Sequence, residues 1–425
     1  MNPASAAPAR SGASLLDGEM IDPAIRLPEA EEARCRRYSR ARLAATAAEF
    51  LLVLGTLAAL TFTGAARGLL EWCETALPHG SSLVGCHLSY LLLLGFITRV
   101  LLLPFHWYEE WVLERRFGLS RESCWSWLWE WLCRSAVFGV AAIVLLLPVA
   151  ELLRWWPWLV LPWAAAFLLL RPLFMDYVYY PLLNVFYPAR FLREESFVLP
   201  GVGKTTLPVY EVKVSHKTAR ASASIRLRGK KTAIYVSDTL IEAFTDGEER
   251  VVMAHEFGHL YDQLHLESRT RAGVAQAQRK LMWGTAQLLA GVAALGLLHF
   301  LAPLLDLEGV HDLAGFPLLA AMTLGLAHLF TPLLCAEARR DERDADEYAL
   351  AITGDVESYV SVMRKLRAMN LEESGAHPVS RLLWDTHPSY NERVHLATAY
   401  RHRYRRKRKG QHWRGWRHVQ RHGRR

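Results

Sequence analysis

Leu281-Met-Trp-Gly-Thr-Ala-Gln-Leu-Leu-Ala-Gly-Val-Ala-Ala-Leu-Gly-Leu-Leu-His-Phe-Leu-Ala-Pro-Leu-Leu305 runs for 25 residues without one Lys, Arg, Asp or Glu. About 20 apolar residues suffice to carry a helix across the hydrocarbon core of a bilayer. The stretch is too long and too apolar for a buried helix of a soluble core, so it reads as a membrane span. Residues 313–336 lack the same four residue types and read as another. Toward the N-terminus, residues 43–66, 86–105, 135–150 and 155–170 are also apolar. The last two are short, and Arg154-Trp-Trp-Pro157 reads as the tight turn between them. These stretches predict a mainly α chain: a polytopic membrane helical bundle of about six spans. A small α+β insert on the cytoplasmic side interrupts it. The expected divisions are a disordered leader over 1–33, four spans in 34–176, the insert in 177–280, two spans in 281–336, a polar segment in 337–400 and a basic tail in 401–425.

Composition agrees with a membrane. Hydrophobic residues make up 52% of the chain, aromatics 11%, and the mean hydropathy is +0.07. Disordered, collagen-like and small disulfide-stapled classes are excluded. The net charge of +8 comes from the tail alone: residues 401–425 hold 12 Lys/Arg and no Asp/Glu, which leaves the rest at −4. Lys and Arg gather in cytoplasmic loops. Here they precede the first span in Arg34-Cys-Arg-Arg-Tyr-Ser-Arg-Ala-Arg42, sit in the loop with Arg115, Arg116 and Arg121, and follow the last span from Arg339. Both termini are therefore expected inside. Residues 1–20 lack the features of a signal peptide. The six Cys show no CxxC spacing, which argues against a thiolate metal site, and pairing of Cys73 with Cys86 stays open. Glu49 and Arg99 fall inside apolar stretches, where charges are costly and often functional. Glu49 is expected to snorkel to the interface, and Arg99 is left open between that and a polar chamber.

The insert carries the chemistry. Pro208-Val-Tyr-Glu-Val-Lys-Val214 alternates like a half-buried strand, as do residues 222–228 and 232–237. Thr245 with Glu248 forms a capping-box start. The helix it opens contains His255-Glu256-Phe257-Gly258-His259. Residues i and i+4 share a helix face, so His255 and His259 can reach one metal ion while Glu256 stays free as a base. Zinc sites of this kind take a third protein ligand and keep a fourth position open. After the last span, Arg339-Arg-Asp-Glu342-Arg-Asp-Ala345-Asp346 supplies two carboxylates on one face. One could bind metal while the other holds a ligand histidine from behind.

HEFGH, two spans, Glu342-Arg-Asp-Ala-Asp346 and then Thr386-His387-Pro388-Ser-Tyr-Asn-Glu-Arg393 together resemble the type I integral-membrane CAAX prenyl proteases. Trp111-Val-Leu-Glu-Arg-Arg-Phe-Gly118 and residues 209–239 are similar to further segments of that family. The resemblance spans roughly residues 40–400. It implies a zinc metalloendopeptidase whose spans enclose a hollow chamber. His255, His259 and Glu342 would bind Zn2+, Glu256 would be the general base, and Asp346 would orient a ligand histidine. His387 would stabilise the oxyanion, and Arg393, Ser222 and Ala223 would bind substrate. The family usually has seven spans, one more than expected here, and Ser222 stands where it usually carries Asn. A hydroxyl offers one donor where an amide offers a donor and an acceptor.

The implied substrate is a peptide or protein, membrane-associated or not. The implied setting is a bacterial inner membrane with the zinc site on the cytoplasmic side. A heat-shock-type quality-control protease shares HExxH and the later Glu. A site-2-type protease is disfavoured, because Glu248, Glu249, Arg250 and Asp262 place the motif outside the hydrocarbon. An inactive zinc-stabilised scaffold would need four protein ligands, and three are in view. The basic tail reads first as a solvated stretch that fixes topology, with contact to anionic lipid heads as the alternative, and no specific nucleic acid is expected.

Overall fold

The computed structural model describes residues 28–76, 82–199, 203–226, 232–264 and 271–408. In chain order, α1 (Glu29–Phe62), the short α2 (Ala65–Ala76) and α3 (Leu83–His106) lead into a π-helical stretch (Trp107–Leu113) and α4 (Glu114–Arg116). Next come α5 (Cys124–Trp155), α6 (Val160–Phe174), a second π stretch and α7 (Tyr180–Phe186). The insert holds β1 (Ala189–Leu199), β2 (Gly203–Val212), β3 (Ala223–Arg226), β4 (Ala233–Ser237), α8 (Asp238–Ala243) and α9 (Asp246–Leu264). The remainder is α10 (Arg271–Leu301), α11 (Phe316–His328), α12 (Thr331–Thr353), α13 (Val356–Asn370), α14 (Pro378–Leu383) and α15 (Tyr390–Arg408).

Among the described residues, four helices are long and apolar enough to span a bilayer, and six spans result if each of two bent pairs counts as one. One bent pair covers 157–186 and turns by 45°; the other joins α11 to α12 at 47°. The expected count of six therefore holds only with these breaks. The third span is longer than its apolar stretch: α5 begins at Cys124, capped by Ser123, and runs to Trp155. Exposed Trp125 and Trp129 mark one end of α5 and exposed Trp155 the other. From Trp129 to Trp155 the helix rises about 39 Å at 1.5 Å per residue, close to a bilayer with its headgroups. Tryptophans at both ends are what an interfacial belt requires.

The chain is helical from Glu29, ahead of the expected end of the leader at 33. Glu29, Glu31 and Glu32 in the first turn complement the helix dipole. The tail beyond Arg408, with Trp413 and Trp416, and the leader before residue 28 lie outside the described residues. All six cysteines are free thiols, with Cys73 and Cys86 buried. Glu49 Oε1 lies 3.5 Å from His106 Nδ1 on α3.

The sheet has the order β1-β2-β4-β3. β1–β2 and β3–β4 are antiparallel, and β2–β4 is parallel. Three of these strands follow the expected alternation, while β1 was not foreseen. β3 is an edge strand, and its other side faces the motif helix α9. A single core joins the sheet to α9, α12, α13 and α15, with Val209, Ile234, Phe257, Leu350 and Tyr359 fully buried.

Candidate metal centre

Two helices make the centre. The expected capping box starts α9: the Thr245 amide donates to Glu248 Oε2 at 2.8 Å, and the Glu248 amide to Thr245 Oγ1 at 3.4 Å. Where α9 crosses α12, Gly258 is the only side chain that fits, because a Cβ there would lie 2.8 Å from Ala345 Cα. That contact brings the one-turn His pair of α9 to the carboxylates of α12. His255, His259 and Glu342 each offer one donor atom, and these atoms lie within 4.8 Å of one another. His255 Nε2 and His259 Nε2 are each 3.4 Å from Glu342 oxygens.

Asp346 is fully buried, with Oδ1 3.0 Å from His255 Nδ1. Arg393, from α15, reaches both carboxylates: Nη2 is 3.0 Å from Glu342 and Nε 3.3 Å from Asp346. Its guanidinium is thus engaged with the metal-side acids, a placement sequence reading did not foresee. His387 is mostly exposed, with Nε2 3.5 Å from Glu342 Oε1. Ser222 and Ala223, leading into and opening β3, line the same cavity of about 1280 Å3 as His255, Glu256, His259, Glu342, His387 and Arg393. All nine residues singled out by sequence therefore come together, with Asp346 directly behind His255.

The electrostatics favour a cation. Burial alone would lower the His255 pKa, but Asp346 and Glu342 outweigh it and raise it to about 10. Burial, with one positive charge already beside it on His255, pushes His259 down to about 4. The pocket therefore stabilises one positive charge between these side chains. Two imidazoles and a carboxylate are donors zinc accepts, and three of them leave a position open for water. Burial, with Glu342 nearby, lifts the Glu256 carboxyl to about 7, against the pull of His255. The backbone amide of Ile225 on β3 also hydrogen-bonds Glu256.

Two family models match the chain. One, described as the CAAX prenyl protease N-terminal region with five membrane helices, matches residues 24–184. The other, peptidase family M48, matches residues 198–401. This chain is similar to that peptidase family over residues 198–401. It is an integral-membrane metalloendopeptidase. Over residues 24–184, the described helices supply four candidate spans, counting the bent pair, against the five in that model's description. An uncharacterized metalloprotease of Bacillus subtilis (strain 168), YhfN, is 26% identical over 403 residues, 89% of this chain and 88% of the relative. The crystal structure of S. mikatae Ste24p shares the fold, with a TM-score of 0.67 at 17% identity, over 89% of this chain and 92% of that one.

Proposed function

We propose that the metal is zinc, held by His255, His259 and Glu342, and that Glu256 is the general base for peptide hydrolysis. The observation that carries this is the position of Glu256: beside the three donors, in the same cavity, and tied to the edge strand. Zinc, when bound, lowers the pKa of water toward 7 and polarises a carbonyl oxygen. Glu256 takes the proton of the attacking water and later returns it to the leaving amine. His387, exposed to the cavity beside Glu342, donates to the developing oxyanion. Asp346 holds His255 from behind, and Arg393 steadies both acids and borders the substrate path.

The substrate pairs with β3 as an added strand. Ser222 accepts from the Ser237 amide at 2.9 Å, which turns its carbonyl toward β4. Along an antiparallel strand the direction alternates, so Ala223 presents its amide and carbonyl to the open edge and Ile225 its carbonyl, the Ile225 amide being held by Glu256. Ser222 itself donates its amide to Ser237 Oγ at 2.9 Å, and the residue lines the cavity.

The basic residues of α1 lie at the same end as the metal centre, where Arg34 donates to the Phe117 carbonyl and Arg220 joins Tyr38 and Glu114. By the cytoplasmic bias of Lys and Arg, that supports a metal site on the cytoplasmic face of the membrane. The match of residues 24–184 favours the prenyl-protease branch over the heat-shock type.

The test compares purified wild type with Glu256→Gln on a fluorogenic peptide. Cleavage is expected to fall by at least about a thousandfold while zinc content stays the same. Equal cleavage, or wild-type activity that survives metal chelation, would sink the mechanism.

A further inference from the structure

His387 stands on the loop between α14 and α15, and its side chain is 66% exposed. Packing does not hold such a ring, yet a donor to a developing charge must be aimed before the reaction begins. The loop itself is pinned on both flanks. On one side Arg339 of α12 donates to the Asp385 carbonyl at 2.6 Å, and the Asp385 amide donates to the Ser380 carbonyl at 2.8 Å. On the other side Pro388 is buried and the Ser389 amide donates to Glu392 Oε2 at 2.9 Å. Pro388 also bars the helical backbone to the residue before it. Between these anchors only the side chains of Thr386 and His387 are left to face the cavity.

The two side chains meet: Thr386 Oγ1 lies 3.1 Å from His387 Nδ1, a hydrogen bond. A hydroxyl can give or take, so the far side of the ring decides the direction. There Nε2 lies 3.5 Å from Glu342 Oε1. An ionised carboxylate only accepts, so the neutral ring carries its proton on Nε2 and offers a lone pair at Nδ1. The Thr386 hydroxyl therefore donates. Threonine is stiff at χ1 because it is β-branched, which gives that hydroxyl a fixed direction once the loop is pinned. The opposite tautomer would turn a lone pair, not a proton, toward the oxyanion.

We propose that Thr386 is a positioning residue for His387: its hydroxyl donates to Nδ1, orients the imidazole and keeps the proton to be donated on Nε2. The proposal rests on the oxyanion role given to His387 above.

The experiment compares peptide cleavage by wild type, Thr386→Val, Thr386→Ser, His387→Ala and the Thr386→Val/His387→Ala double variant. Thr386→Val keeps the shape and removes the hydroxyl. Its kcat should fall about fivefold, the worth of one ordinary neutral hydrogen bond, with KM and zinc content unchanged. Thr386→Ser should restore most of the loss. On the His387→Ala background Thr386→Val should do nothing further, because the hydroxyl acts through that ring. Nitrogen NMR of histidine-labelled protein reads the tautomer directly, with the His387 signals assigned by their absence from His387→Ala. Wild type should carry the proton on Nε2, and Thr386→Val should show a mixture of the two tautomers. Wild-type kcat in Thr386→Val, an equal loss on both backgrounds, a Thr386→Ser as slow as Thr386→Val, or an unchanged tautomer each overturns the proposal. If His387→Ala itself cleaves as fast as wild type, the oxyanion reading fails instead.

Discussion

Glu248 ties a titration to the stability of the motif helix. Its Oε2 takes the Thr245 amide at 2.8 Å and the Lys365 ammonium at 2.6 Å, and Ser361 donates to Oε1 at 2.6 Å. Burial would raise its pKa, but Lys365 and the hydroxyl and amide donors prevail and lower it to about 2. A carboxylate depressed in the folded state stabilises above its unfolded pKa, near 4.5, and loses that contribution as the pH falls through about 2. Glu248→Gln should therefore cost about 2 kcal/mol at pH 7, with the gap to wild type closing between pH 4.5 and 2. Denaturation followed across that range would show it; a gap that widens on acidification would refute the assignment. At this scale the cluster of donors was legible, because one-turn spacing places His255 and His259 on one face whatever the tertiary fold. The engagement of Arg393 with Glu342 and Asp346 was not, since it depends on where α15 lands relative to α12.

Elements meet at Gly258. With Ala345 Cα where a Cβ would sit at 2.8 Å, neither backbone can yield without moving the helices apart. Gly258→Ala should separate α9 from α12, costing about 1–3 kcal/mol of overpacking. The same separation should take His255 and His259 away from Glu342 and weaken zinc binding by about tenfold or more. Thermal melting and chelator competition on one preparation check both effects, and intact affinity would show that the crossing has slack. The sheet was readable where strands alternate, as in residues 208–214. β1 was missed because Arg190, Arg193, Glu194 and Glu195 break the alternation and its register carries a bulge between Phe191 and Arg193. The last span was read as one uninterrupted stretch over 313–336, because composition cannot show a bend. Its break before Pro332 sends α12 off at 47°, carrying Glu342 to the centre.

Across the whole molecule, contacts remote in sequence fix edge strand β3 to the membrane region. Asn370 Nδ2 donates to the Ala221 carbonyl at 3.1 Å, and the Ala221 amide returns a bond to Asn370 Oδ1 at 3.1 Å, just before edge strand β3. Arg220 joins the same place to Glu114 at 3.0 Å and to Tyr38 of α1. Arg367 of α13, only 1% exposed, pairs with Glu32 at the start of α1, and Ser374 donates to the same Glu32 oxygen at 2.6 Å. No local pattern could reveal a pair 335 residues apart. Removing one partner of a buried ion pair leaves the other charge uncompensated, at about 3–5 kcal/mol. Glu32→Gln should therefore destabilise the metal-site half of the protein by that amount, although it lies far from the motif in sequence. Replacing both partners, as Glu32→Leu with Arg367→Met, should cost less than the single change, because no charge is then stranded. Melting curves of the three proteins decide the matter: a single change as mild as the double would mean that α1 does not clamp the catalytic half, and that the start of the chain could be removed without loosening the strand on which substrate is proposed to bind.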